Sequence, residues 1–133
     1  MICLNNQYAM VTYHENLRML EVFWKEATSI SSENYRLVLR NCLTQFEKHD
    51  IHFWFTDARN QNYVLPEDRN WVVNEIVNPI LSKNPRKGAF VVSEDLLVRF
   101  NAEELARYIT TKGYDFRIFT SRKDALNWFL ATE

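Results

Sequence analysis

The residues best suited to chemistry lie between Asp57 and Trp71, in the run DARNQNYVLPEDRNW. An Asp-x-Arg pair offers a carboxylate and a guanidinium, groups that meet in strong, charge-assisted hydrogen bonds. Asp57 and Arg59 have two readings. They face a ligand or partner together with Asn60 and Tyr63, or they pair with each other and brace the loop. Trp71 follows by one helical turn and is placed to wall a pocket or a partner groove. Ser93 and Arg122 stand at two further strand ends and complete the candidate set.

Other constellations carry less. His49 and His52 have the spacing of two metal ligands. His49 is equally accounted for at a helix C-terminus and His52 at a strand start, so no metal is expected. Glu94 and Asp95 offer a carboxylate pair, but adjacent acids at a helix start serve the helix dipole. Cys42 falls within an apolar stripe with no histidine partner and reads as a small hydrophobe, not a nucleophile. No catalytic residue is assigned, and the chain is read as a non-enzyme.

Composition narrows the field further. The chain has 133 residues, 47% of them hydrophobic, with 16 basic and 17 acidic side chains. That length fits one domain over 1–133, with a core large enough to need no staples. The near balance of charge leaves no electrostatic footprint for nucleic acid. There are two glycines where ordinary usage gives about nine, so glycine-rich phosphate loops and dinucleotide fingerprints are excluded and no cofactor is expected. Cys3 and Cys42 form no disulfide framework. The opening MICLNNQYAM has no signal-peptide pattern, and no stretch approaches a membrane span. A cytoplasmic location without membrane insertion is the expectation.

The elements that position these residues follow from periodicity. Residues 8–13 and 17–24 are aromatic and branched and joined by three residues, which predicts a hairpin. Tyr35, Val38, Leu39, Cys42, Leu43 and Phe46 form one helical stripe, begun by Ser31 or Ser32 and ended at His49 and Asp50. Residues 51–55 read as a strand covered on both faces. Pro66, Glu67 and Asp68 open the next helix, which kinks or stops near Asn78 and Pro79. Residues 88–93 and 115–120 are the last strands. Between them, a helix start at Ser93 is followed by a second helical piece from Asn101 to about Thr111, with Asn101 and Glu104 at capping-box spacing. Gly113 suits a left-handed cap. Ser121 and Asp124 begin a final helix carrying Ala125, Trp128 and Phe129.

The order is β-β-α-β-α-β-α-β-α, a mixed, mainly parallel five-stranded α/β sheet. This order, with Asp57-Ala58-Arg59-Asn60, Pro66-Glu67-Asp68 and Trp71, resembles small bacterial SpoIIAA-like proteins of the STAS fold, in the superfamily that includes Sec14-type lipid-binding domains. The resemblance spans the whole chain and implies a non-catalytic interaction or regulatory module, working with a protein partner or as a homodimer. The Sec14 relatives imply the alternative of a carrier for a small or lipid-like ligand, with an apolar cavity lined by Phe53, Phe55, Phe90 and Leu97. One departure is informative. The anti-sigma-factor antagonists of this group carry a phosphorylatable serine in this loop, whereas 57–68 contains no serine or threonine. Ligands in open α/β sheets gather beyond the carboxyl ends of the strands, and the loops Asp57 to Leu65, Ser93 to Asp95 and Thr120 to Arg122 are expected to meet there.

Overall fold

Every strand of this protein pairs with the strand next to it in sequence. The computed structural model describes residues 1–26, 30–61 and 64–131. Six strands lie in the order β1 (Ile2–Asn5), β2 (Ala9–His14), β3 (Met19–Trp24), β4 (Phe53–Asp57), β5 (Lys87–Val91) and β6 (Phe116–Phe119). The first three are antiparallel; β3 through β6 are parallel. The mixed, mainly parallel α/β sheet agrees with the sequence reading, but the strand count is six, not five. β1 escapes periodicity because it has four residues and ends at an asparagine pair. Asn6 Oδ1 accepts from the backbone N–H groups of Tyr8 and Ala9 at 2.8 and 3.0 Å, and so makes the turn into β2.

Crossovers between parallel neighbours keep one hand. When the strands also lie in sequence order, all the connecting helices fall on one face. The main core shows this. It joins Leu20, Val22 and Trp54 of the sheet to Val38, Cys42 and Phe46 of α1 (Ser32–Lys48). Ile76 and Ile80 of the second crossover and Leu105 and Ile109 of α4 (Leu96–Thr111) complete it. The opposite face receives the C-terminal helix, α5 (Arg122–Leu130), whose Ala125 and Phe129 pack on Met19, Phe55, Ala89 and Val91. Phe55 is fully buried, and a side chain of that size contributes roughly 1.5–3 kcal/mol.

The second crossover runs from α2 (Pro66–Val72) through a π-helical turn (Val73–Val77) into α3 (Asn78–Leu81). The sequence leaves open a kink or a stop before Pro79, and the helix continues. Asn78 N–H reaches back to the Val73 carbonyl, five residues away. The wider turn takes up the strain that a proline ring places on the preceding turn. α4 is likewise one helix, not two pieces. Asn101 lies in its interior, 4% exposed, and does not cap it. Phe100, beside it, is exposed. Gly113 has φ +91°, the left-handed conformation expected of it.

The carrier cavity expected from Phe53, Phe55, Phe90 and Leu97 does not form as drawn. Phe53 and Phe55 pack on Phe129 in the smaller core, while Phe90 belongs to the larger one. Side chains alternate across a strand, and the sheet itself separates them. The Leu97 side chain lies outside what the structure describes. His49 stacks on Tyr13 at 4.1 Å between ring centroids, and His52 pairs with Asp50 at 3.4 Å. No metal-binding cluster occurs among the described residues, nor a helix long and apolar enough to cross a membrane. Cys42 is fully buried, and burial pushes its thiol up to about 12.

Gly88 makes one close approach possible. It lies in register between Trp54 and Phe116, whose rings meet edge-on at 5.9 Å between centroids. A Cβ at Gly88 would stand 2.4 Å from two Phe116 ring carbons. Gly88→Ala is therefore expected to destabilise the fold by about 1–3 kcal/mol, read from the midpoint of urea unfolding. An unchanged midpoint would show that Phe116 swings aside freely.

Candidate functional site

Trp24, Tyr35 and Gln61 stand where two parallel strands hand over to two helices. β3 ends at Trp24 and leads to α1; β4 ends at Asp57 and leads to α2. The Trp24 and Tyr35 rings stack at 5.5 Å and 19°. Beside them opens a cleft of about 180 Å³, walled also by Tyr8, Asn60, Val64 and Leu65. Ser31 caps α1 by accepting from Asn34 N–H at 3.2 Å, and its side chain reaches the rim. Lys25, also on the rim, donates to the Asn6 carbonyl at 2.7 Å.

The floor is held by a buried acid. Asp68, 4% exposed, accepts from Ser32 Oγ at 2.7 Å and from Arg36 Nε at 3.0 Å. These bonds join the first turn of α2 to the first two turns of α1. They fix the distance between the helix starts that bound the cleft. Burial and the neighbouring Asp68 charge both push the Tyr35 phenol well above its ordinary range, so the ring is neutral. The wall is therefore apolar and aromatic with an un-ionised hydroxyl.

Behind the cleft lies a second, smaller chamber of about 30 Å³. Trp24, Tyr35 and Gln61 line both spaces and separate them. Trp54, Thr56, Phe90 and Leu105 wall the inner chamber, and Asn101 reaches it from α4. The Asn101 Oδ1 atom is buried and has no hydrogen-bond partner among the described residues.

The structure distributes the residues picked from the sequence over several places. Asp57, 2% exposed, and Arg59 pair with each other through Nε at 3.0 Å and Nη2 at 2.6 Å. Asp57 Oδ1 also accepts from Arg59 N–H at 3.2 Å. That is the bracing arrangement, and it holds Arg59 with its end half exposed. Strand alternation puts this pair on the side of Phe55, away from the cleft. Arg122 lies on that same side, over the Phe55 ring and paired with Glu21, which also holds His14 at 2.8 Å. Asn60 does line the cleft, donating to the Trp24 carbonyl at 3.4 Å. Trp71 packs against α1 with Arg36 and Arg40 over its ring. Ser93 Oγ accepts from Asp95 N–H at 3.2 Å in the loop after β5. Tyr63 lies outside the described residues.

Sequence reasoning passed over Trp24, Tyr35, Gln61 and Asp68. Trp24 and Tyr35 carried the signal of core residues, and Asp68 that of a helix dipole. The available clue was position: Trp24 ends β3 and Tyr35 stands in the first turn of α1, on either side of one connection. Compared with known proteins, the chain matches no family profile, no curated protein and no solved structure.

Removing the guanidinium from Arg59 leaves a buried carboxylate with one backbone donor. Arg59→Ala is expected to cost about 1–2 kcal/mol, the lower part of the range for bonds to charged groups because the arginine end is half exposed. Urea unfolding measures it, and a cost near zero would remove Asp57 and Arg59 from the loop's support.

Proposed function

We propose that this chain is a non-catalytic binding module of regulatory type, whose working end is the carboxyl end of the sheet. The observation that carries the reading is the aromatic-walled cleft between the starts of α1 and α2. A preformed concave site, mostly apolar with a few fixed polar groups, is the form that small-ligand sites take. Its position beyond the ends of β3 and β4 is the usual place for ligands in open α/β sheets. The size favours a small guest. A cavity of about 150 Å³ is known to accept benzene, so 180 Å³ suits one substituted ring rather than a lipid chain. The element order remains compatible with the SpoIIAA-like resemblance, under which a binding role without chemistry is the expected one.

The test uses phenol as a single-ring probe and follows the amide and indole signals around the cleft in proton–nitrogen correlation spectra. Phenol is expected to shift Trp24 and Asn60 in the natural chain, and Gln61→Phe, which fills the cleft, is expected to abolish the shifts. Absence of the shifts in the natural chain, or their survival in Gln61→Phe, overturns the reading.

A second reading, self-association through the same end, is favoured by three exposed apolar side chains. Leu65, Leu96 and Phe100 are 45%, 79% and 49% exposed. Leu96 and Phe100 are one turn apart on α4. Arg69, one turn from Leu65 on α2, lies over the Phe100 ring at 5.6 Å, so the three belong to one patch. Patches of this kind mark interfaces. Sedimentation velocity is expected to show a dimer that Leu96→Asp with Phe100→Asp returns to monomer. A natural chain that stays monomeric at every concentration excludes this reading.

A further inference from the structure

We infer that the cleft takes a monocyclic aromatic ligand bearing a short arm that ends in a hydrogen-bond donor, and that Asn101 receives the donor in the inner chamber. The inference rests on the ligand-binding reading above and deepens it. Three observations carry it.

The first is the unpaired amide oxygen. Asn101 is 4% exposed, and its Oδ1 has no partner among the described residues. A buried polar atom without a bond carries a desolvation penalty that a correctly placed partner removes. Asn101 is unusual in its surroundings: its α4 neighbours Ala102, Leu105 and Ile109 are all apolar core. An amide among them serves recognition better than packing.

The second is the division of space. The outer cleft, at about 180 Å³, holds a ring; the inner chamber, at about 30 Å³, equals the share of one water molecule and holds a hydroxyl or amine. Trp24, Tyr35 and Gln61 bound both, so an arm passing between them joins the two volumes.

The third is charge. Among the described residues the acid on the cleft wall is Asp68, already engaged by Ser32 and Arg36, and the Tyr35 phenol is neutral. Among the described residues no Lys, Arg or His lines the inner chamber to balance an anion. A neutral donor fits, and an aromatic body complements the stacked Trp24 and Tyr35 faces.

Two probes of the same shape separate the donor from the ring: 2-phenylethanol, and propylbenzene, in which a methyl group replaces the hydroxyl. Dissociation constants follow from titrations of the same spectra. Relative to propylbenzene, 2-phenylethanol is expected to bind at least about fivefold better to the natural chain than to Asn101→Leu. It is also expected to shift the Asn101 side-chain amide signal. Asn101→Leu replaces the amide and its unpaired oxygen with an apolar side chain of similar volume, a change that favours folding. Should it nevertheless fail to fold, the Asn101 signal of the natural chain decides: a shift with 2-phenylethanol and none with propylbenzene supports the inference. If both probes bind with the same ratio in the two proteins, or leave that signal unmoved, the inference falls while the cleft stands. A water molecule that already satisfies Asn101 would produce this result. If neither probe nor phenol binds, the inference and the binding reading fall together.

Discussion

Burial of the β4–β5 pair on both faces is the constraint on which the rest of this structure depends. Parallel strands reach this state through crossover connections, and each crossover here brings a helix to the same face. Trp54 and Phe90 look toward α1 and α4, while Phe55, Ala89 and Val91 look toward α5. One face thus receives three crossovers and the other a single C-terminal helix. That asymmetry explains the two cores of unequal size. It also explains why a space forms at the end of β3 and β4, where two connections leave the sheet side by side and diverge.

The cleft is therefore a by-product of topology that the sequence then tailors. Asp68 closes its floor by joining α1 to α2, and Asn60 ties the β4 loop to the end of β3. The aromatic wall comes from residues that also belong to the core. Trp24 and Tyr35 are 4% exposed each, so any guest touches side chains already fixed by packing. Such a site needs little ordering when it is occupied, which favours affinity over adaptability.

Much of this architecture is legible in the sequence, for physical reasons that can be named. The α1 stripe from Tyr35 to Phe46 is a strong periodic signal because the helix meets a flat sheet along one side only. The strand from Phe53 reads as doubly covered because it is. β1 could not be read, since four residues between turns carry no period. Asn101 differs from its sequence expectation because Asn-x-x-Glu spacing is a local signature, and nothing local says that the helix continues through it. The Asp57–Arg59 pair was seen, and the bracing reading describes its geometry. The cleft was not, because Tyr8, Trp24, Tyr35 and Gln61 are brought together by three separate connections. The expected convergence is divided for a simpler reason: strand alternation keeps Asp57, Arg59 and Arg122 on the side of Phe55, while Trp71 packs with the larger core on the other face.

The neighbour-to-neighbour order of the strands has a consequence for how the chain is made. During synthesis from the N-terminus, β1, β2 and β3 can pair before anything further is translated, and each later strand adds to an edge that already exists. No strand has to be inserted between two others, so the sheet grows in one direction, as a wall is laid course by course. The smaller core behaves differently. Glu21 in β3 waits 101 residues for Arg122 at the head of α5. Until α5 arrives, Met19, Phe55, Ala89 and Val91 lack the cover of Ala125 and Phe129. The emerging chain thus carries a hydrophobic flank until α5 is made, and that nine-residue helix acts as the cover that ends the exposure.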